Sequence, residues 1–140
     1  PMPPSWLERQ KVEVAKRVAQ ADIVITTALI PGRAAPVLVT EEMVKAMKPG
    51  SVIVDMAAPQ GGNCPLTEAG RTVIKHGVTL VGETNLPALV AADSSSLYAR
   101  NVLDFLKLVI TKEGTLHVPM DDDIVVACLM THGGEVKRKT

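Results

Sequence analysis

Apolar residues gather in three short runs at nearly even spacing, Asp22-Ile-Val-Ile-Thr-Thr-Ala28, Ser51-Val-Ile-Val-Asp-Met-Ala57 and Val78-Thr-Leu-Val-Gly82, each after a stretch that reads as a helix. Runs of four to eight β-branched residues without apolar/polar alternation fit strands covered on both faces, as in a parallel sheet. Alternation with helices makes the fold α/β, and the runs make up half of a nucleotide-binding sheet. The other half carries the chemistry of such folds, and G-x-G-x-x-G, the turn that wraps a cofactor pyrophosphate, does not occur in the sequence.

Between the runs the polar pattern predicts the connecting elements. Ser5-Trp-Leu-Glu8, preceded by Pro4, has the form of a capping box, and Leu7, Val14, Ala15 and Val18 share one face of the helix it would open. The first strand delivers the chain into Thr26-Thr-Ala-Leu-Ile-Pro-Gly32 at its carboxyl end, where ligands of open parallel sheets bind. A second helix is predicted with Thr40 as N-cap, Glu41 and Glu42 in its first turn, Met43, Val44 and Met47 inward, Lys45 and Lys48 near its end, and Pro49-Gly50 as its stop. The second strand runs into Ala57-Ala-Pro-Gln-Gly-Gly-Asn63. A short helix from about Thr67 to Lys75, ended by Gly77, should then lead to the third strand.

After Gly82-Glu-Thr-Asn-Leu-Pro87, Asp93 or Ser94 should cap a long amphipathic helix carrying Leu97, Tyr98, Val102, Phe105, Leu106 and Val109. Beyond Lys112-Glu-Gly114 the pattern changes. Thr115 to Met120 and Ile124 to Met130 read as strands around Asp121-Asp-Asp123, with a turn at Thr131-His-Gly-Gly134. The predicted division is 1–110, a half nucleotide-binding domain with a return helix, and 111–140, a C-terminal antiparallel β-ribbon. So small a ribbon needs another domain or subunit to dock on.

Composition narrows the function classes. With 140 residues and 46% hydrophobic content the chain can build a core. Fifteen basic residues balance fifteen acidic ones, so no net field recruits nucleic acid or an anionic membrane surface. Lys137-Arg138-Lys139 is the only basic cluster and reads as a solvated terminus. No run is long and apolar enough to span a bilayer, and no signal peptide is recognisable at Pro1. Cys64 and Cys128 lie far apart, without metal-ligand spacing, and read as reduced thiols.

Candidate chemistry is sparse. Three adjacent aspartates invite a divalent-metal reading, yet consecutive turn residues diverge and a solvated loop fits better. Asp55, at the end of a Val-Ile-Val run, mimics a ribose-binding acid, but the glycine turn that role requires about twenty residues earlier is missing; bonds to backbone or neighbouring loops fit it better. Gly61-Gly62 reads as a tight turn, with an anion nest as the alternative. His76, His117 and His132 have no partner at catalytic spacing, so no catalytic residue and no metal ligand is assigned.

Thr26-Thr-Ala-Leu-Ile-Pro-Gly-Arg33, Met47-Lys-Pro-Gly-Ser-Val-Ile-Val-Asp55, Gly61-Gly-Asn-Cys64, Thr84-Asn-Leu-Pro87 and Ala92-Asp-Ser-Ser-Ser-Leu-Tyr98 together closely resemble the NAD(H)-binding first domain of proton-translocating NAD(P) transhydrogenase. The resemblance runs over essentially the whole chain. It implies half of a Rossmann-like sheet whose glycine-rich loop, ribose acid and mobile tyrosine loop lie upstream of Pro1. It also implies NAD(H) as cofactor, NADP(H) on a separate partner domain, and direct hydride transfer between the two rings, linked by a membrane domain to proton movement. By position in the family, Gln10, Ala28 and Leu29 match the cofactor-binding side; Asn85 is a nicotinamide-side or loop-bracing residue. A homodimer at the cytoplasmic face of a bacterial inner membrane, or the matrix face of a mitochondrial one, follows from the same likeness, without direct membrane insertion or nucleic-acid binding. Alanine dehydrogenase looks like the same fold, but carries a catalytic aspartate where this chain has Pro59, which can neither take a proton nor orient an amine. A non-catalytic piece retaining only dimer contacts is the remaining alternative.

Overall fold

The computed structural model describes residues 3–138. It divides into two compact units, 1–89 and 90–140; Lys139 of the basic tail lies outside the described residues.

In the first unit, helix α1 (Pro4–Gln20) leads to strand β1 (Ile23–Thr26), helix α2 (Glu41–Lys45), strand β2 (Val52–Asp55), strand β3 (Thr72–Lys75), strand β4 (Val78–Val81) and a single helical turn α3 (Leu86–Leu89). Strands β1, β2 and β4 are the three apolar runs. They pair in parallel in the order β1-β2-β4, with Ile23 opposite Val52 and Val52 opposite Thr79. All three therefore end on one edge of the sheet, and the loops that follow them share that edge.

One face of the sheet is the core. Ile53, Val78 and Leu80 are fully buried with Val39, Val44, Met47, Cys64 and Val18. Coverage of both faces, as the unalternating runs suggested, is not what forms: Ile23, Ile25 and Ile74, on the opposite face, are 65%, 62% and 72% exposed.

Several local expectations are corrected. The capping box does not form, because Pro4 takes the first helical position, where its fixed φ is suited and its missing N–H costs nothing. Ser5 is then inside the helix, and Glu8 pairs with Lys11 at 3.0 Å on the surface. Only the C-terminal part of α1 reaches the core, through Val14 and Val18. Thr40 does cap α2, its hydroxyl accepting the Met43 N–H at 3.3 Å. That helix stops at Lys45, and Lys48 turns instead to Asp22 at 3.1 Å.

The segment 67–75 is not a helix. Thr72-Val-Ile-Lys75 pairs antiparallel with β4, and the connection has φ of 55° at His76 and 78° at Gly77. Two consecutive left-handed residues make the tight hairpin turn whose twist matches its strands. Gly77 is thus a hairpin residue rather than a helix terminator, and the β-branched content of 72–74 decided for strand.

In the second unit, helix α4 (Ala91–Val109) begins earlier than either predicted cap; Val90 is its N-cap, and Asp93 lies in the first turn, where the helix dipole favours it. The stretch 124–130 is also not a strand. Asp122 caps helix α5 (Asp123–Cys128), its carboxylate accepting the N–H groups of Ile124 and Val125 at 3.0 Å each. A strong N-cap outweighed the β-propensity of Ile124-Val-Val126. The predicted strand 115–120 reduces to one bridge, Ile110 with Leu116. What remains of the ribbon is a hairpin of two short strands, β5 (Thr131–His132) and β6 (Glu135–Val136).

Candidate functional site

The carboxyl edge of the parallel strands is organised by one buried carboxylate. Asp55 closes β2 at 1% exposure. Its Oδ1 accepts from the Thr26 hydroxyl and from the backbone N–H of Ala57 and Asn63, each at 3.1 Å. Its Oδ2 accepts from the Cys64 N–H at 3.1 Å and the Thr67 hydroxyl at 2.8 Å. Burial alone would push this carboxyl up. Hydrogen bonds from the Asn63 N–H, the Thr67 hydroxyl, the Cys64 N–H and the Thr26 hydroxyl outweigh it and hold the group below the usual carboxylate range. Asp55 therefore bonds backbone and neighbouring loops and is spent on them, with no lone pair left over for a ribose.

The loop around it is shaped for close approach. Gly62 has φ of 81°, and a Cβ there would lie 2.6 Å from Asp55 Oδ2. Its N–H donates to Ala57 and that of Gly61 to Ala58, so the glycine pair is a tight turn whose donors are used locally, not a nest. Gly82, at the end of β4, lies so near the Glu68 carbonyl that a Cβ would overlap it. Burial raises the Cys64 thiol, which keeps it an unreactive core group.

Asn63 extends the bracket to the loop after β1. It is fully buried, and its carboxamide accepts the Ala28 N–H at 3.0 Å while donating to the carbonyls of Ala28 at 2.9 Å and Pro36 at 2.7 Å. Nothing singled Asn63 out in the sequence beyond its place in Gly61-Gly-Asn-Cys64. The available signal was a carboxamide beside a glycine pair in otherwise apolar surroundings.

Of the three residues placed by family likeness, Ala28 is partly buried and held by Asn63, and Leu29 is half exposed on the same edge. Gln10 lies exposed on α1, lining a hollow of about 440 Å³ with Leu7, Val14, Val37, Leu38 and Met43. Ala28 and Leu29 are not among the residues lining that hollow. Asn85 is exposed, and its N–H donates to Glu83 at 2.8 Å in a local turn. His76 is engaged with Glu41 at 3.0 Å. Among the described residues no three His, Cys, Asp or Glu side chains are placed to hold a metal ion. Asp122, from the aspartate cluster, is consumed as a helix cap.

Fit to a dinucleotide is partial. No buried side-chain polar atom among the described residues lacks a partner, so the interior holds no group aimed at a ligand. The edge itself offers exposed apolar and small residues, Thr27, Leu29 and Ile30, suited to a ring and a sugar. The glycine-rich turn that grips a pyrophosphate in such folds does not occur in the sequence. Pro59 lies in a single 3₁₀ turn, Ala58–Gln60, directly after β2.

A family model described as alanine dehydrogenase/PNT, C-terminal domain, matches residues 5–139. The chain is 52% identical over 130 residues to the first portion of NAD(P) transhydrogenase subunit alpha of Rhodospirillum rubrum, covering 92% of this chain and 34% of that one. It is similar to the crystal structure of transhydrogenase from Sinorhizobium meliloti with a TM-score of 0.71 and 46% identity, covering 90% of this chain and 34% of that one. Alanine dehydrogenase of Bacillus subtilis is 42% identical over 130 residues, covering 89% of this chain and 34% of the relative. The chain thus spans about a third of the length of these relatives.

Proposed function

Because the chain belongs to the alanine dehydrogenase/PNT C-terminal domain family, we propose that it is part of the NAD(H)-binding component of a proton-translocating NAD(P) transhydrogenase. The observation that carries this reading is the shared carboxyl edge of β1, β2 and β4, with the β1 and β2 loops tied into one surface by Asp55 and Asn63. In an open parallel sheet that edge is where a dinucleotide lies. Gln10, Ala28 and Leu29 are the proposed cofactor contacts, and the phosphate-binding turn is supplied by sequence ahead of Pro1.

When bound, NAD(H) supplies the hydride. This chain's residues position and shield: Ala28 and Leu29 offer a small, apolar support for the ring side, and no group need take or give a proton. The acceptor, NADP(H), is held by a partner domain, and a membrane domain couples their alignment to proton movement. A homodimer peripheral to the cytoplasmic face of a bacterial inner membrane, or to the matrix face of a mitochondrial one, completes the proposal. No helix among the described residues is long and apolar enough to cross a membrane.

Pro59 favours this reading over amino-acid oxidation, because the position that carries the acid in alanine dehydrogenase has no proton to exchange here. The test is to assay the complete polypeptide, with its NADP-binding partner, for hydride transfer from NADH to an NADP analogue, and alone for pyruvate formation from alanine and NAD. Transhydrogenation without pyruvate is expected. Pyruvate formation without transhydrogenation would reverse the choice.

A further inference from the structure

Resting on the reading of this edge as the cofactor cleft, we propose that Asn63 is a positioning residue: its buried carboxamide fixes the backbone of Ala28 and thereby the placement of Leu29 against the cofactor. Strand β1 ends at Thr26, so Ala28 has left the sheet ladder. Its N–H and its C=O are nonetheless both paired, to the oxygen and nitrogen of one carboxamide at 3.0 and 2.9 Å. Asn63 thus pairs with Ala28 as a neighbouring strand would, for one residue beyond the strand's end.

The carboxamide is itself immobilised. Its second N–H reaches the Pro36 carbonyl at 2.7 Å, its backbone N–H donates to Asp55, and its backbone carbonyl accepts from Leu38 at 2.8 Å and Val39 at 3.1 Å. Gly61 and Gly62, with φ of 94° and 81°, bring the chain to Asn63 along a path that side chains would block at Gly62.

Only asparagine supplies this combination. Aspartate keeps the acceptor for Ala28 N–H but turns a second acceptor on the Ala28 and Pro36 carbonyls; glutamine is one methylene too long for a fully buried site; leucine has the shape without the hydrogen bonds. A fold-stabilising role alone would require Asn63 to be satisfied, not that its partner be the residue next to Leu29.

The experiment uses the complete polypeptide, with Asn63→Ala and Asn63→Asp variants assayed for NADH-to-NADP-analogue transfer. Expected is a rise of about tenfold in KM for NADH, as for loss of one good hydrogen bond in placing the ring side, with KM for the NADP analogue unchanged. A lowered melting temperature with KM for NADH unmoved would show a structural role only and overturn the proposal. Should neither variant fold, hydrogen exchange in the wild-type protein decides: the Ala28 amide should be protected comparably to Ile53 in β2, and exchange at the rate of a free loop would overturn it. Failure of the wild type to bind NADH would sink the cofactor reading and this inference together, whereas wild-type binding with an unmoved KM in the variants sinks this inference alone.

Discussion

Asp55 shows what a single residue can disclose and what it conceals. Its place after Val52-Ile-Val54 suggests a ribose acid, and the missing glycine turn argues against that; the five donors around it show where the charge goes instead. That the acid bonds loops was legible. That Thr26, Ala57, Asn63, Cys64 and Thr67 are the loops' donors was not, because hydrogen bonds across 29 residues, as from Thr26, leave no periodic trace. Replacing Asp55 with Asn swaps an acceptor for a donor facing buried N–H groups, and should destabilise the fold by about 2–4 kcal/mol in urea unfolding at neutral pH. The folded-state pKa of Asp55 lies below its unfolded value. Its contribution is therefore fully present above about pH 4 and lost as pH falls through the lowered value. Urea unfolding at descending pH should show wild type losing stability in that acid window more steeply than Asp55→Asn. Parallel pH profiles for the two proteins would remove Asp55 from the bracket.

At the scale of elements, parallel strands were readable, while boundaries set by side-chain caps and turns were readable at Thr40 but not at Asp122 or His76-Gly77. The three apolar runs became β1, β2 and β4 because unalternating Val and Ile have few other stable placements. The segment 67–75 misled because Gly77 ends helices and closes hairpins alike. The distinguishing feature is His76, which also takes a left-handed φ. The stretch 124–130 misled for the opposite reason, since Ile124-Val-Val126 looks extended until Asp122 is counted as a cap. Asp122→Ala should cost about 1 kcal/mol of stability and expose the α5 amides of Ile124 and Val125 to faster exchange. If their exchange rates do not change, the cap is not what holds α5. Asn63 falls between the scales: it belongs to no element, yet ties the β1 loop to the β2 loop, which is why no element-level pattern revealed it.

For the whole molecule, charge balance gave no electrostatic ground for nucleic-acid or membrane-surface roles, and the motif order carried the family. That the sheet is only half of a nucleotide fold was legible too, in the missing glycine turn. Physically, that loss removes the backbone donors and helix terminus that grip a doubly charged pyrophosphate. Charge-assisted hydrogen bonds contribute about 1.5–3 kcal/mol each, so losing two or three weakens binding by several orders of magnitude. The 140-residue chain by itself should therefore show no saturation in a micromolar NADH fluorescence titration, and micromolar saturation would mean that its own residues suffice. The half-exposed sheet was not legible, because uncovered Ile23, Ile25 and Ile74 read in the sequence like core residues.

The central claim is that the carboxyl ends of β1 and β2 form one wall of the NAD(H) cleft, and it is tested most directly by mapping NADH-induced amide shifts across the complete polypeptide. Shifts concentrated at Ala28, Leu29 and Gln10 are the predicted result. Saturable NADH binding that leaves Ala28 and Leu29 unmoved would contradict it.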